Sequence, residues 1–166
     1  MKRTLVLFLP LVVSLGFTLM DYYDRWDLNG DGVVTIQEFA INVKKAGVFS
    51  QFDRDDDGYL NLAELSKGIT YYGIFVGWDR NDDDVLDREE LEQIFLSAEK
   101  LGLGLDSEEV RLNKEQFVQA IFSAWDRDAD GLLTEEEVCN GSYDLLDGDG
   151  DGLVNKEEFN QAAYYF

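Results

Sequence analysis

Past an apolar N-terminal run, hydrophobic residues recur at steps of three and four, the spacing that gathers side chains on one face of an α-helix. Leu19, Tyr22, Tyr23 and Trp26 make the first such face, and Phe39, Val43, Ala46, Phe49 and Phe52 the second. Leu65, Ile69, Tyr72, Phe75 and Trp78 make the third. The intervals Phe39–Phe52 and Leu65–Trp78 are 14 residues each, and the pattern predicts one continuous helix in each, about 21 Å long. Gly47, Gly68 and Gly73 fall inside them, and since glycine costs about 1 kcal/mol in a helix interior, these are the places where a break is expected if there is one. Further on, Leu91, Ile94, Phe95 and Ala98 share a face that Gly102 and Gly104 terminate. Phe117, Ile121 and Trp125 predict a two-turn helix, whereas Asn140-Gly141, inside Val138–Leu146, is a turn signal. The fold class is all-α, short helices joined by polar loops.

The polar loops share a grammar. Asp53 to Glu64 places oxygen side chains at positions 1, 3, 5 and 9 (Asp53, Asp55, Asp57, Asn61), glycine at 6 (Gly58) and glutamate at 12 (Glu64). A hard cation of high coordination number needs such a set, because a short loop surrounds the ion only by turning sharply at its middle, where glycine is at ease. Tyr59 at position 7 would offer its backbone carbonyl, position 9 would act through a water, and Glu64 would close the shell with both oxygens. The same pattern runs through Asp27, Asn29, Asp31, Val33, Thr35 and Glu38; through Asp126, Asp128, Asp130, Leu132, Thr134 and Glu137; and through Asp147, Asp149, Asp151, Leu153, Asn155 and Glu158. A further loop, with Asp79, Asn81, Asp83, Val85, Asp87 and Glu90, carries Asp84 in place of the glycine. Aspartate tolerates a left-handed backbone at a cost of about 1 kcal/mol, so this loop is expected to bind more weakly.

These residues resemble the EF-hand calcium-binding family. The resemblance implies helix-loop-helix units, Ca²⁺ as the ligand, and pairing of loops through a short β-bridge at position 8, here Val34, Leu60, Leu86, Leu112, Leu133 and Val154. Leu112 belongs to a hidden member of the series. Loop starts at 27, 53 and 79 are 26 residues apart, and one more period lands on Leu105, whose stretch ends L-N-K-E-Q-F as the last loop ends V-N-K-E-E-F. Leu105, Val110 and Gln116 replace the first aspartate, the glycine and the closing glutamate, so no ion is expected there; an ordinary helix connection capped by Asp106 or Asn113 is the alternative. The expectation is an array of five intact units and one degenerate one. Because one helix is expected to serve two loops, consecutive loops should lie at its opposite ends, and pairing should fall to loops one apart in order. Loop spacing and the N-terminus are also similar in organisation to the lanmodulin family of bacterial lanthanide binders. That family's proline at position 2 is replaced here by Leu28, Arg54, Arg80, Arg127 and Gly148, and its aspartate at position 9 survives only as Asp87.

Charge sharpens the picture. With 14 basic and 35 acidic residues the net charge is −21, which disfavours nucleic acid and anionic membrane as partners and favours cations. Histidine is absent and Cys139 is alone, which excludes a zinc finger, a Ser-His or Cys-His nucleophile pair and an internal disulfide. An enzyme is the least expected class. Lys2 and Arg3 precede an apolar run from Leu5 to Leu15, with Ser14 and Gly16 before a cut after Gly16, as in an export signal. The division expected is residues 1–16 as signal, 17–96 with three loops, and 97–166 with one degenerate and two further loops. The protein is then secreted or periplasmic, off the membrane once cleaved. Its expected role is that of a calcium buffer or calcium-stabilised binding module, or alternatively a sensor exposing an apolar groove to a protein target. Only Met1 and Met20 are available for the methionine-rich surface that such sensors use.

Overall fold

The computed structural model describes residues 20–94 and 110–164. The expected signal segment with its cut after Gly16, together with Leu19, Phe95, Ala98, Gly102, Gly104, Leu105 and Asp106, lies outside the described residues. Nine helices occur among the described residues: α1 (Met20–Trp26), α2 (Ile36–Ala46), α3 (Phe49–Phe52), α4 (Leu62–Tyr71), α5 (Ile74–Trp78), α6 (Arg88–Ile94), α7 (Lys114–Trp125), α8 (Glu135–Leu146) and α9 (Lys156–Tyr164). Four two-residue strands accompany them: β1 (Val33–Val34), β2 (Leu86–Asp87), β3 (Arg111–Leu112) and β4 (Val154–Asn155).

The long intervals are not continuous helices. At the end of α2, Gly47 adopts φ 62° and its N–H bonds back to the Lys44 carbonyl, and α3 begins two residues later. Gly73, at φ 65°, separates α4 from α5 in the same manner. A left-handed residue ends an α-helix by turning the next N–H away from the ladder, and glycine does so without a Cβ clash. Gly68 does not break α4; the Phe52 ring lies against it, and a Cβ there would come within 2.0 Å of the ring. The same contact corrects the turn expected at Asn140-Gly141. Helix α8 runs through both residues because the Trp125 ring occupies the space beside Gly141, where a Cβ would be 2.2 Å away. The glycine is there for close approach, not for a turn. Helix α7 is also longer than two turns: it begins at Lys114 and has 12 residues.

Loop pairing departs from the expected order and has a simple rule. Val34 lies opposite Val154, Leu60 opposite Leu133, and Leu86 opposite Leu112, all antiparallel. The bridges are at position 8, as expected, but the first repeat pairs with the sixth, the second with the fifth, and the third with the adjacent fourth. The expectation of partners one apart assumed straight connecting helices, and the breaks at Gly47 and Gly73 remove that assumption. The helices follow the same nesting: α1 packs on α9, α2 on α8, and α4 on α7. The chain thus runs out through three repeats and returns through three, each outgoing repeat facing a returning one.

One hydrophobic core lies beneath the bridges. Val34, Leu60, Leu86, Leu133 and Val154 are fully buried, and Leu112 is packed at its edge. Trp26, Phe52, Trp78 and Trp125, each just ahead of a loop, are buried as core residues, with Leu146 half-buried in the corresponding place. Under the outer pair, Trp26 contacts Phe39 at 5.2 Å and Phe159 at 5.7 Å between ring centres, and Phe39 contacts Tyr143 at 5.6 Å.

Candidate metal centres

Each acidic loop is held in shape by its own carboxylates. The first aspartate accepts hydrogen bonds from backbone N–H groups in the middle of the loop: Asp27 from Gly30 (2.7 Å) and Gly32 (2.9 Å), Asp53 from Gly58 (3.0 Å), Asp79 from Asp83 (3.1 Å) and Asp84 (2.8 Å), Asp126 from Asp130 (3.1 Å) and Gly131 (3.0 Å), Asp147 from Gly150 (2.8 Å) and Gly152 (3.0 Å). The loop therefore curls around its first residue. The closing glutamate ties both ends together. Its Oε1 accepts from the N–H at position 2 (Leu28, Arg54, Arg80, Arg127, Gly148) and its Oε2 from the N–H at position 9 (Thr35, Asn61, Asp87, Thr134, Asn155). Thr35, Asn61 and Thr134 in turn cap the following helix, forming reciprocal capping boxes with Glu38, Glu64 and Glu137.

The turn needs two left-handed residues. Position 6 is glycine at φ 83–91° in four loops and Asp84 at φ 63° in the third, within the narrow basin open to a side-chain-bearing residue. Position 4 is left-handed as well: Gly30 and Gly150 in the outer loops, Asp56, Asp82 and Ala129, each at φ 57°, in the others.

In three loops carboxylate oxygens of three residues lie within 4.8 Å of one another: Asp53, Asp55 and Asp57; Asp126, Asp128 and Glu137; Asp147, Asp149 and Glu158. The first and third loops carry asparagine at position 3, Asn29 and Asn81, and no three of their carboxylates gather so closely. In the first, the Asn29 amide donates to Asp31 at 3.0 Å. Asp53 supplies the test of fit. Its side chain is nearly buried and its Oδ1 has no hydrogen-bond partner. A buried carboxylate oxygen without a hydrogen-bond partner, grouped with two further carboxylates, suits a hard divalent cation.

The fourth repeat keeps the scaffold without the donors. Asn113 caps α7 and shares a capping box with Gln116, and Val110 is buried where the other loops turn on a glycine or Asp84. Gln116 Oε1 accepts from the Asn113 N–H at 3.0 Å, so the glutamate's structural bond persists without its charge.

Family models agree with this geometry. Residues 82–145 match a model described as an EF-hand domain pair, and residues 24–41, 45–69 and 144–163 match one described as EF hand. The chain belongs to the EF-hand family. It is an EF-hand calcium-binding protein with clustered acidic loops, and such proteins are typically not enzymes. No curated protein matches it. A solved structure described as a homolog of programmed cell death 6 protein from Leishmania major Friedlin is similar at 17% identity over 99% of each chain, with a TM-score of 0.25. A likeness that low carries nothing about how the hands are arranged.

Within this EF-hand scaffold, two tyrosines stand out that loop grammar alone does not point to. Tyr23 and Tyr143, each four residues before a loop, are buried at the bridge between the first and sixth repeats. The Tyr143 hydroxyl donates to the Val34 carbonyl of the opposite loop at 2.7 Å and lies 3.0 Å from the Gly152 carbonyl of its own. The Tyr23 hydroxyl donates to the Gly32 carbonyl of its own loop at 2.6 Å, with Val154 at 3.4 Å. Burial, then the nearby Asp27 or Asp147 charge, pushes both phenols up to about 12. The equivalent places elsewhere are Phe49, Phe75, Phe122 and Leu101, and this Tyr-for-Phe exchange was the available signal. Glu38 is held below the usual carboxylate range by the Thr35 N–H, against burial, with help from the Thr35 hydroxyl and two loop N–H groups. For Glu137 burial pulls upward, but bonds from Thr134 and Arg127 outweigh it and the net shift is down. Burial pushes the lone Cys139 thiol up to about 11, leaving it unreactive at neutral pH.

Proposed function

We propose that this is an exported calcium-binding protein, a buffer or calcium-stabilised binding module. In this proposal five loops, at Asp27–Glu38, Asp53–Glu64, Asp79–Glu90, Asp126–Glu137 and Asp147–Glu158, take one Ca²⁺ each, while the fourth repeat is a degenerate hand kept for pairing. The arms 17–96 and 97–166 are the outgoing and returning halves of the array, and the segment before them is a signal removed on export. The observation that carries the proposal is the nearly buried Asp53 oxygen, without a hydrogen-bond partner, grouped with Asp55 and Asp57 within 4.8 Å. Nineteen carboxylates stand at ligand positions, three in the first loop and four in each of the others (3 + 4 × 4). Five divalent ions would offset ten of those charges, so binding and folding are linked. An exported site of this type works at roughly 10⁻⁴ to 10⁻³ M calcium. Titration calorimetry with Ca²⁺, with Glu→Gln changes at Glu38, Glu64, Glu90, Glu137 and Glu158 in turn, tests the assignment. Four or five ions bound support it, and two or fewer overturn it.

A further inference from the structure

The third and fourth repeats form the one pair in which a loop with ligand-type side chains faces a loop that has lost them. The register of this pair places Arg111 of β3 directly across from Asp87 of β2. Its guanidinium reaches past Asp87, and Nη2 lies 2.7 Å from Oδ2 of Asp83. Asp87 and Asp83 are positions 9 and 5 of the third loop, two of its ligand positions. Ion pairs at the other two pairs reach residues outside the ligand positions. Lys156 binds Asp24 ahead of the first loop, and Arg127 binds Asp144 within helix α8.

Resting on the calcium assignment above, we propose that Arg111 is an affinity-setting residue of the third loop: a tethered cation, supplied by the degenerate repeat, that holds Asp83 until Ca²⁺ displaces it. Arg111 sits at position 7 of its own repeat, where the other loops carry Val33, Tyr59, Val85, Leu132 and Leu153. Those residues use that place for a backbone carbonyl, whereas a hand without ions is free to use the side chain. The ion pair is partly exposed, with side-chain exposures of 59% for Arg111 and 34% for Asp83, so the guanidinium can swing into water when the loop fills. A calcium ion then meets repulsion from a charge a few ångströms away and competition for one carboxylate. Both lower the affinity of this loop, by roughly tenfold together at moderate ionic strength. The third loop is thus set to fill after the second, fifth and sixth, and its pair is partly charge-balanced before any ion arrives.

The test reads each loop through the tryptophan that precedes it. In full-length protein carrying Trp26→Phe and Trp125→Phe, Trp78 alone reports the third loop; with Trp26→Phe and Trp78→Phe, Trp125 alone reports the fifth. Phe52 already fills the equivalent place in the second repeat, so the exchange suits the core. Arg111→Gln is expected to shift the Trp78 calcium midpoint to roughly tenfold lower concentration and leave the Trp125 midpoint unchanged. Arg111→Lys, which keeps the charge, is expected to stay within about threefold of the parent. A Trp78 midpoint that is unchanged or raised in Arg111→Gln overturns the inference and leaves the calcium assignment standing. Absence of any calcium response from either tryptophan in the parent overturns both.

Discussion

Tyr143→Phe removes one oxygen atom and tests whether the first and last repeats act as a unit. The hydroxyl has a single proton, and at 2.7 Å the Val34 carbonyl in the opposite loop is its closest acceptor, with the Gly152 carbonyl of its own loop sharing it at 3.0 Å. Phenylalanine keeps the ring that packs on Phe39 and already stands at this place as Phe49, Phe75 and Phe122. The loss is therefore one buried hydrogen bond, net about 1–1.5 kcal/mol, without a cavity. In a chain of 166 residues that lowers the melting temperature by about 2–6 °C at saturating calcium. Tyr23→Phe costs a similar amount, but its short bond stays within the first loop and its reach to Val154 is 3.4 Å, so it should weaken the link between loops less. The discriminating assay is a cycle with Glu38→Gln, which disables the first loop. Calcium affinity of the sixth loop, read by calorimetry, should drop on Glu38→Gln when Tyr143 is present and drop less when it is phenylalanine. If Tyr143→Phe left both melting temperature and that difference unchanged, the cross-loop bond would have no energetic weight and the reasoning would fail.

Further outcomes follow from other sites. In calcium-free protein Tyr23 and Tyr143 have pKa values raised from 10.0 to about 12, so the stability they contribute is complete below pH 10 and is lost as pH rises toward 12, about 2–3 kcal/mol each; phenolate absorbance and helix signal should change together in that window. Glu38 and Glu137 have lowered values, so their contribution is present above the ordinary 4.5 and disappears as pH falls through the folded values, which acid titration of calcium-free protein followed by circular dichroism will show. Gly68→Ala should destabilise by about 1–3 kcal/mol through the Phe52 clash despite a gain in helix propensity, while Gly73→Ala, with open space around it, should cost only about 1 kcal/mol for its φ of 65°; urea melts separate the two. Ala129→Gly should stabilise by about 0.5–1 kcal/mol by relieving a left-handed alanine at φ 57°, and a melt that moves down instead would show that the loop gains nothing from the relief.

Loop chemistry was legible in the sequence because it is local. A twelve-residue turn draws its bonds from within itself, so the spacing of Asp53, Gly58 and Glu64 already contains the geometry, and the helix faces around it follow from periodicity. What sequence order hid was distance. Asn140-Gly141 reads as a turn because that dipeptide usually is one; its helical state depends on the Trp125 ring, which neither residue encodes. Gly47, Gly68 and Gly73 look alike in the sequence, yet two break a helix and one receives Phe52, a difference decided by what packs there. Position 8 identified the bridging residues but not their partners, since Val34, Leu60 and Leu86 are interchangeable as bridge formers. Arg111 was invisible for the same reason: only the register with Asp87 shows which loop it faces.

Nested pairing also orders the closure of the fold. The bridging residues are separated by 26 positions in the third and fourth repeats (112 − 86), 73 in the second and fifth (133 − 60), and 120 in the first and sixth (154 − 34). Closing the widest loop first costs about 1.4 kcal/mol more chain entropy than closing the narrowest first. Once the inner pair exists, each outer pair needs only the short helices between. Repulsion also puts the inner pair first. The inner pair has four ligand-position carboxylates and a guanidinium on one of them, whereas the middle pair joins eight such carboxylates, four from each of its loops, and the outer pair seven. Entropy and charge therefore both favour closing the inner pair first, with calcium needed most in the two pairs that join two acidic loops.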